Sequence, residues 1–430
     1  MSKKMTQLSE DCFAHGGALM RLDEALSLVA ERVQPIPGIE SIPLTRAYGR
    51  ILACDLIASN DVPPHANSAV DGYAVYYDDL LPGRETVLAL VGRIAAGRPF
   101  ARRVRRGKVL RVFTGAIMPV GESDDGPDTV FMQEDCEVNG TRVTFPSGIE
   151  RGANCRLQGE DVAAGKKLFT TGRRLRAADL GLAAAIGREV LAVRARLRVA
   201  IFSTGDEVQE PGTDLEPGQI YDSNRVALGA LLTSLGCSVS DFGILADDLQ
   251  KTTDAIVEAA KNHDLIISSG GVSVGEEDHV RAVLESQGTV DIWRLAIKPG
   301  RPLILGTVRT AACPVPYLGL PGNPAAVMVT FLKFARPLIL RLAGANEQSP
   351  RVYPVRAGFS HKKKKERREY IRCVLTVGAD GSFTASKAGR QGAGILSVVS
   401  AADGLVELPE EMEYVRCGSM VDFLPFSEVE

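Results

Sequence analysis

Short apolar segments alternate with helix-length segments between about residues 190 and 345, and this alternation constrains the fold more than any other feature of the sequence. Alternating β and α elements, with glycine or acidic residues where strands end, favour an open, mostly parallel sheet with helices on both faces. The sequence therefore predicts a doubly wound α/β domain in this region. Apolar periodicity predicts its strands at 197–203, 238–245, 264–268 and 317–320, and its helices at 223–235, 249–262, 279–286 and from 324 onwards.

The segments before and after this region have a different pattern. Between about residues 55 and 165, short apolar runs are separated by Gly, Pro, Asp and Asn, which is typical of a β-rich unit with many turns. Helical periodicity occurs at 21–32 and 175–186, and a chain of 430 residues is long enough for about two to four domains. We expect a small, partly helical domain from 20–55 and 165–188, a β-rich domain at 56–164, the doubly wound domain at 189–345 and a small β-domain at 346–430.

The composition argues against several classes of function. The net charge of −3 gives no basis for a nucleic-acid or membrane partner, and no apolar run is long and uninterrupted enough to span a bilayer. The eight cysteines form no C-x-x-C pair, so we expect reduced thiols in a cytoplasmic protein rather than a zinc site or a disulfide framework. Because the five histidines are scattered, a bound metal would be held by carboxylates, which favour a hard cation such as magnesium.

The loops that follow the predicted strands are the candidate site, because ligands bind outside the carboxyl ends of the strands in open α/β sheets. In the loop at 268–275, Gly270 and Gly271 are flanked by Ser269 and Ser273. The glycines allow backbone N–H groups to point at one anion, and the predicted helix that follows has a positive N-terminal end. The residues alone leave a phosphate cradle and a tight turn as equal alternatives. Another strand-end loop contributes Pro321, Gly322 and Asn323.

Carboxylates occur at three of these strand ends. Asp206 and Glu207 follow one strand, Asp247 and Asp248 follow another, and Asp278 lies just beyond the glycine loop. Any one of them is usually a solvated turn residue or a helix N-cap, and N-capping is the more common role for an Asp at position 278. Three acidic strand ends beside one glycine loop are harder to explain in this way, because clustered carboxylates repel each other unless a cation or a general-acid role compensates.

Two basic segments are further candidates. Arg294, Lys298 and Arg301 alternate with apolar residues and could face an anionic ligand, although an edge strand with solvated charges is the more common explanation. The run from Lys362 to Arg368 is expected to be a solvated hairpin tip, with an anionic site as the alternative.

Eight motifs, in this order along the chain, resemble the molybdopterin molybdenumtransferase family, also called MoeA, which includes the E-domain of gephyrin. The resemblance extends from about residue 20 to the end of the chain. The motifs are S-A-V-D-G-Y-A at 68–74, F-T-G-A at 113–116, G-E-D-V at 159–162, F-S-T-G-D-E at 202–207, I-Y-D-S-N at 220–224, I-S-S-G-G-V-S-V-G at 267–275, A-I-K-P-G-R-P at 296–302 and G-L-P-G-N-P at 319–324.

The resemblance implies an elongated homodimer with a doubly wound domain like that of the molybdopterin adenylyltransferases and a C-terminal β-barrel. It implies insertion of molybdenum from molybdate into adenylylated molybdopterin, with magnesium, cleavage of the pyrophosphate link and release of AMP. By analogy, the active-site positions are Asp71, Thr114, Asp161, Glu207, Asp247 and Asp278, with Glu207 and Asp278 as the expected magnesium ligands. Arg294, Lys298 and Arg301 would meet phosphates or molybdate, and Arg368 would join them from the last domain.

The sequence departs from the family at one position. Ala393 follows Gln391-Gly392, where the family often has serine, so a hydroxyl contact to molybdate would need Ser397 or backbone N–H groups instead. Two other functions remain open. One is that of a molybdopterin adenylyltransferase, which lacks the β-rich segment and the tail domain and could instead be a partner of this chain. The other is a gephyrin-like scaffold, whose fused domains and linkers this chain lacks.

Overall fold

The computed structural model describes residues 19–36, 38–123, 125–272, 279–346 and 349–429, apart from the side chains of residues 292 and 293. Within these residues, no helix is both long and apolar enough to cross a membrane.

The largest unit is built on a six-stranded sheet, which confirms the predicted doubly wound α/β fold. Four neighbouring strands are parallel, and two antiparallel strands complete one edge. In spatial order, the strands are Ser238–Leu245, Arg198–Thr204, Leu265–Ser269, Val315–Leu320, Pro302–Val308 and Gly288–Arg294.

Helices cover both faces of this sheet because both faces are apolar. Successive side chains on a strand point to opposite faces. Val199 and Ile201 accordingly pack in one core cluster with the helix Asn224–Ser234. Ala200 and Phe202, on the same strand, pack in the other cluster with the helices Leu249–Asn262 and His279–Gln287.

The helix that begins at Pro324 is buried on nearly every side. Its segments are Pro324–Thr330, a π-helical turn at Phe331–Ala335, and Arg336–Leu342. The helix is enclosed because the first helix of the chain, Leu22–Arg32, packs against its last segment. Leu22, Ala25 and Val29 thus belong to the core of the α/β unit.

A separate core joins two segments that are distant in sequence. The strand Ile39–Pro43 pairs with Val190–Arg194, and Leu56–Ile57 pairs with Lys167–Phe169. The helix Ala177–Ala185 packs on them through Ala183 and Ile186. The first helix, Leu22–Arg32, packs on the α/β core and not on this separate core. The domain limits given in the sequence analysis remain predictions.

The β-rich unit is a six-stranded mixed sheet with a core cluster on each face. At its centre, Gly72 lies so close to a neighbouring strand that a Cβ atom there would be 1.8 Å from the carbonyl oxygen of Phe131. In spatial order, the strands are Thr129–Met132, Gly72–Val75, Lys108–Val112, Thr86–Ile94, Arg142–Phe145 and Glu137–Asn139. A short pair, Asn67–Ser68 and Cys155–Arg156, lies beside it.

The C-terminal unit is a closed five-stranded barrel, because its first and last strands also pair with each other. The two-residue strand Ile297–Lys298 of the α/β unit adds to the barrel in parallel with Arg368–Glu369. Around the barrel, the strands are Arg368–Val377, Phe383–Lys387, Tyr353–Ala357, Met420–Pro425 and Gly404–Leu408. The helix Leu396–Ala401 and the short pair His361–Lys362 with Tyr414–Val415 complete the unit.

The basic run before the barrel strand Arg368–Val377 is only partly the solvated tip that we expected. Lys362, Lys364 and Lys365 are exposed, but Lys363 is buried. Its ammonium group donates to three backbone carbonyl oxygens, those of Lys364, Arg367 and Glu410, and so fixes the turn. Burial lowers the pKa of Lys363 from its ordinary value.

Candidate active site

Two adjoining cavities form one cleft at the carboxyl ends of the parallel strands. They share Gly270, Gly271, Gly322 and Asn323. The first, of about 460 Å³, is lined by Glu207 and Asp247 and is called here the acidic half. The second, of about 390 Å³, is called the basic half and is lined by Lys298, Arg301 and Arg367.

The glycine loop lies at the boundary between the two halves. Gly270 and Gly271 have positive φ angles of 89° and 63°, which favour glycine. A Cβ atom on Gly270 would be 2.8 Å from the carbonyl oxygen of Thr204, and one on Gly271 would be 2.9 Å from a methyl carbon of Val280. Both glycines are therefore required by backbone conformation and by close packing. Ser269 contributes to the acidic half, whereas Ser273 lies outside the described residues.

Asn224 connects the glycine loop to the loop that contains Gly322. Its side-chain amide donates to the Ser269 hydroxyl at 2.9 Å and to the Gly322 carbonyl at 2.7 Å. Asn224 also lines the acidic half. Sequence reasoning included this residue in a motif but gave it no role in the site.

The helix that begins at Asn224 is capped by the carboxylate of Asp222 rather than by the side chain of its N-cap residue. Ser223 occupies the N-cap position but makes no capping hydrogen bond through its side chain. The buried carboxylate of Asp222 accepts instead from the backbone N–H and the guanidinium of Arg225, at 3.0 Å each. Burial alone would lower the pKa of Arg225, but hydrogen bonds to Asp241, Asp222 and Glu210 raise it.

The carboxylates of the acidic half are held by the loops themselves. The backbone N–H of Asp247 donates to Asp206 at 3.1 Å, which joins two strand ends. The Glu207 carboxylate folds back over Gly205, where a Cβ atom would be 2.6 Å from it. Asp248 is a helix N-cap, since it accepts from the backbone N–H of Lys251, and that bond lowers the pKa of Asp248. Three carboxylates therefore line the acidic half, those of Glu207, Asp222 and Asp247, and Asp222 is the one paired with Arg225.

Lys298 reaches the basic half because its short strand joins the barrel. Cross-strand pairing places Lys298 beside Glu369, with 3.4 Å between the ammonium nitrogen and one carboxylate oxygen. Glu369 is buried and also accepts from His361 at 2.9 Å. Burial alone would raise the pKa of Glu369, but the His361 hydrogen bond and the charge of Lys298 lower it. The Lys298 side chain is nevertheless 52% exposed, so its ammonium group is accessible from the cleft.

The barrel contributes Arg367 to the cleft, whereas the sequence comparison pointed to Arg368. Arg367 lines the basic half. The side chain of Arg368, only 13% exposed, is paired with Asp23, Glu407 and Glu410 at 2.7–3.1 Å. Burial alone would lower the pKa of Arg368, but its hydrogen bond to Asp23 and the nearby negative charges raise it. Arg368 thus connects the first helix to the barrel.

Two further positions in the basic half bear on the sequence predictions. Gln391 and Ala393 line it, so the position at which the sequence departs from the expected family pattern belongs to the wall of the cleft. Arg294 is half-buried and does not line either half. Pro321 lines the basic half.

Asp71 and Thr114 form a pair elsewhere, at the ends of two neighbouring inner strands of the β-rich sheet. Asp71 precedes the strand Gly72–Val75, and Thr114 follows the antiparallel neighbour Lys108–Val112, so the two meet. The carboxylate of Asp71 accepts from the Thr114 backbone N–H and hydroxyl, at 2.8 Å each. These bonds lower the pKa of Asp71. Asp161 is exposed, next to Val162 of the separate core, and none of the three lines the cleft of this chain.

The acidic half suits magnesium as far as the described residues can test it. Mg²⁺ is usually held by one or two carboxylates together with water and substrate phosphates. Glu207 and Asp247 supply two carboxylates to this half, beside the glycine loop, where the Gly270 N–H donates to the Leu320 carbonyl at 3.1 Å. No group of three or more His, Cys, Asp or Glu side chains with metal-binding geometry occurs among the described residues, and Asp278 lies outside them.

Comparison with known proteins identifies the family. Residues 20–187 match the MoeA N-terminal region (domain I and II), residues 200–341 a probable molybdopterin binding domain, and residues 354–426 the MoeA C-terminal region (domain IV). The chain is 36% identical to a molybdopterin molybdenumtransferase of Haemophilus influenzae over 96% of its own length and all of that protein. It is 38% identical to one from Nostoc sp., over 89% of this chain and 87% of that protein.

Solved structures agree with the sequence relatives. The molybdopterin biosynthesis moeA protein from Pyrococcus horikoshii superimposes with a TM-score of 0.80 at 26% identity, covering 95% of this chain and all of that one. Another structure of a molybdopterin biosynthesis moeA protein from Pyrococcus horikoshii gives a TM-score of 0.77 at 30% identity, with 95% of this chain and 99% of that one covered. The chain therefore belongs to the MoeA family.

Proposed function

We propose that this protein is a molybdopterin molybdenumtransferase that inserts molybdenum from molybdate into adenylylated molybdopterin and releases AMP. The observation that carries the proposal is the two-part cleft. The glycine loop lies between a carboxylate wall and a wall of lysine and arginine, and Asn224 donates to Ser269 of this loop from the acidic side. A substrate with a pyrophosphate link and a tetrahedral dianion both need such donors.

The two halves have different tasks in this proposal. Cleavage of the pyrophosphate link develops negative charge on the leaving phosphate, and preorganised positive groups stabilise such charge. Lys298, Arg301 and Arg367 bind the oxyanions, and the glycine loop orients the phosphates. Glu207 and Asp278 would hold Mg²⁺, which would supply positive charge to neutralise the phosphates, and Asp247 lines the same half of the cleft as Glu207.

We further propose that the protein works as a homodimer and that each active site is shared. Asp71, Thr114 and Asp161 match family motifs, yet they do not line the cleft of their own chain. In a two-fold symmetric dimer, the β-rich unit of one subunit can complete the cleft of the other. The Asp71–Thr114 pair would then face the glycine loop of the partner subunit.

We place this activity in the cytoplasm, after a molybdopterin adenylyltransferase that supplies the substrate and is a candidate partner. The seven described cysteines are all unpaired, which supports a reducing compartment.

The reaction is tested by mixing the purified chain with adenylylated molybdopterin, magnesium and molybdate. We expect AMP release that depends on molybdate, together with a product that activates a molybdenum enzyme lacking its cofactor. Consumption of ATP with molybdopterin, and no AMP release from the adenylylated compound, would identify an adenylyltransferase instead. Binding of a receptor segment without either activity would identify a scaffold.

The shared site is tested with mixed dimers of Asp71→Asn and Glu207→Gln subunits, each inactive as a homodimer. If the sites are shared, one cleft of the mixed dimer carries both changes and the other carries none. Activity should then recover to about half of the wild-type value per mixed dimer. No recovery, in a sample shown by mass spectrometry to contain mixed dimers, would contradict the shared site.

A further inference from the structure

The β-rich unit contains a concentration of positive charge that the proposed reaction does not use. Residues 86–121 include eight lysines and arginines and no Asp or Glu, although the whole chain has a net charge of −3. This segment forms the strands Thr86–Ile94 and Lys108–Val112 and the loop between them. Such strong segregation indicates an interaction with an anion, because clustered like charges repel each other unless they are compensated.

Three of these arginines line a single concavity of about 480 Å³, called here the arginine pocket. They are Arg93, Arg98 and Arg102, and the lining contains no carboxylate. Within the ranges that the structure describes, none of the three lies within salt-bridge distance of a carboxylate. Their neighbours differ in this respect, since Arg105 pairs with Glu122 at 2.8 Å and Arg106 lies 3.7 Å from Asp78.

The pocket has a defined framework although its arginines are exposed. Phe100 packs onto Gly92, where a Cβ atom would be 2.9 Å from its ring, and this contact holds the loop against the sheet. The backbone N–H of Arg98 closes a turn onto the carbonyl of Ala95 at 3.1 Å. The guanidinium of Arg93 lies over the ring of Phe113, 5.2 Å from its centre. These contacts reduce the conformational freedom lost on binding.

The pocket also adjoins the Asp71–Thr114 pair. Phe113 directly precedes Thr114, and the turn that follows Arg93 contacts the Thr114 loop, with the Cβ of Ala96 3.8 Å from the position of a Cβ on Gly115. We propose that the arginine pocket is a second oxyanion site that binds the phosphate group of a small ligand. A guanidinium binds phosphate oxygens in pairs, so three of them suit a tetrahedral oxyanion.

The ligand chemistry has two possible sources, a nucleotide phosphate or a free tetrahedral oxyanion. Calorimetry at low ionic strength would use the full chain with AMP, inorganic phosphate and molybdate as separate probes, because salt screens exposed charges. A Lys298→Ala/Arg301→Ala/Arg367→Ala background removes the three basic residues that bind oxyanions in the cleft. Tighter binding of AMP supports a nucleotide, whereas equal binding of all three supports a free oxyanion.

The decisive comparison is between two double variants that lose the same charge. Arg98→Gln/Arg102→Gln should weaken binding by about tenfold or more, since hydrogen bonds to charged groups are lost. Arg105→Gln/Arg106→Gln, whose arginines lie near carboxylates, should change it by less than about twofold. Hydrogen exchange should show ligand-dependent protection at residues 92–104 in the control and none in the pocket variant.

If both double variants weaken ligand binding equally, the binding comes from the overall positive charge of the segment. That result would overturn the proposal that the arginine pocket is a specific oxyanion site. Absence of binding for all three probes, or protection elsewhere in the chain, would also overturn it. Because the readout is binding rather than turnover, these results do not depend on the proposed reaction.

Discussion

The two halves of the cleft are built in different ways. The acidic half consists of loops at the ends of adjacent strands in one sheet, joined by hydrogen bonds from Asn224 and from the backbone of Asp247. The basic half combines the α/β unit with the barrel, through the pairing of Ile297–Lys298 with Arg368–Glu369. The acidic half therefore depends on local loop geometry, whereas the basic half depends on a long-range contact between two units.

The largest effect is expected where this local geometry is tightest. Gly270→Ala adds a methyl group 2.8 Å from the Thr204 carbonyl at a φ of +89°. The glycine loop must move, so the rate of AMP release should fall about 100- to 1000-fold, which is the size of effect seen when a preorganised donor is lost. The matched control is Gly181→Ala, because this helical glycine has open space around it. The control should keep activity and gain up to about 1 kcal/mol of stability.

The next effect separates two adjacent arginines at the start of a barrel strand, of which only Arg367 lines the basic half. Arg368→Ala removes the partner of Asp23, Glu407 and Glu410 and should lower the free energy of unfolding by about 3 kcal/mol. Arg367→Ala should leave stability nearly unchanged and weaken oxyanion binding, because Arg367 lines the cleft. Chemical denaturation measures the free energy of unfolding, and calorimetry measures the affinity for the oxyanion. A large loss of stability in Arg367→Ala, together with weakened oxyanion binding in a stable Arg368→Ala, would contradict the placement of these side chains.

A smaller effect is expected at the connection between the loops of the acidic half. Asn224→Ala removes hydrogen bonds to Ser269 and Gly322, each worth about 1 kcal/mol. We expect the free energy of unfolding to fall by about 1–3 kcal/mol and kcat/KM to fall about tenfold. Asn224→Asp tests the direction of the bonds, since a carboxylate cannot donate to the Gly322 carbonyl. Full activity in Asn224→Asp would show that these donated bonds are not needed.

The smallest effect concerns Glu369 at the junction between the basic half and the barrel. Its pKa is lowered in the folded protein, so the ionised carboxylate stabilises the fold above its ordinary pKa of 4.5. This contribution is lost as the pH falls through the lower, folded value. The difference in free energy of unfolding between wild type and Glu369→Gln should therefore become smaller as the pH falls from about 5 to about 2. Glu137→Gln, at an exposed carboxylate, is the control, and a gap independent of pH would contradict the account.

Much of the α/β unit could be predicted because its signals are local. The predicted strand 238–245 and helix 249–262 have the same bounds in the structure, and the glycine loop lies at a strand end as expected. Local patterns fix such elements, and the general rule for open sheets then locates the cleft.

The basic half could not be predicted to the same extent, and the reason is register. Neighbouring residues on a strand point in opposite directions, so the choice between Arg367 and Arg368 depends on how the strand pairs. That pairing joins residues about 70 apart in sequence, and nothing in the local pattern specifies it. The same holds for the buried Lys363, which has the same sequence context as its exposed neighbours.

The central claim is that one cleft contains a catalytic wall and an anion-binding wall. The most direct test measures AMP release and molybdate affinity side by side in Glu207→Gln and Lys298→Ala. The account predicts that Glu207→Gln lowers AMP release about 100-fold or more with molybdate affinity within about threefold of wild type. It predicts that Lys298→Ala weakens molybdate binding about tenfold or more. Wild-type AMP release in Glu207→Gln, or unchanged molybdate affinity in Lys298→Ala, would contradict it.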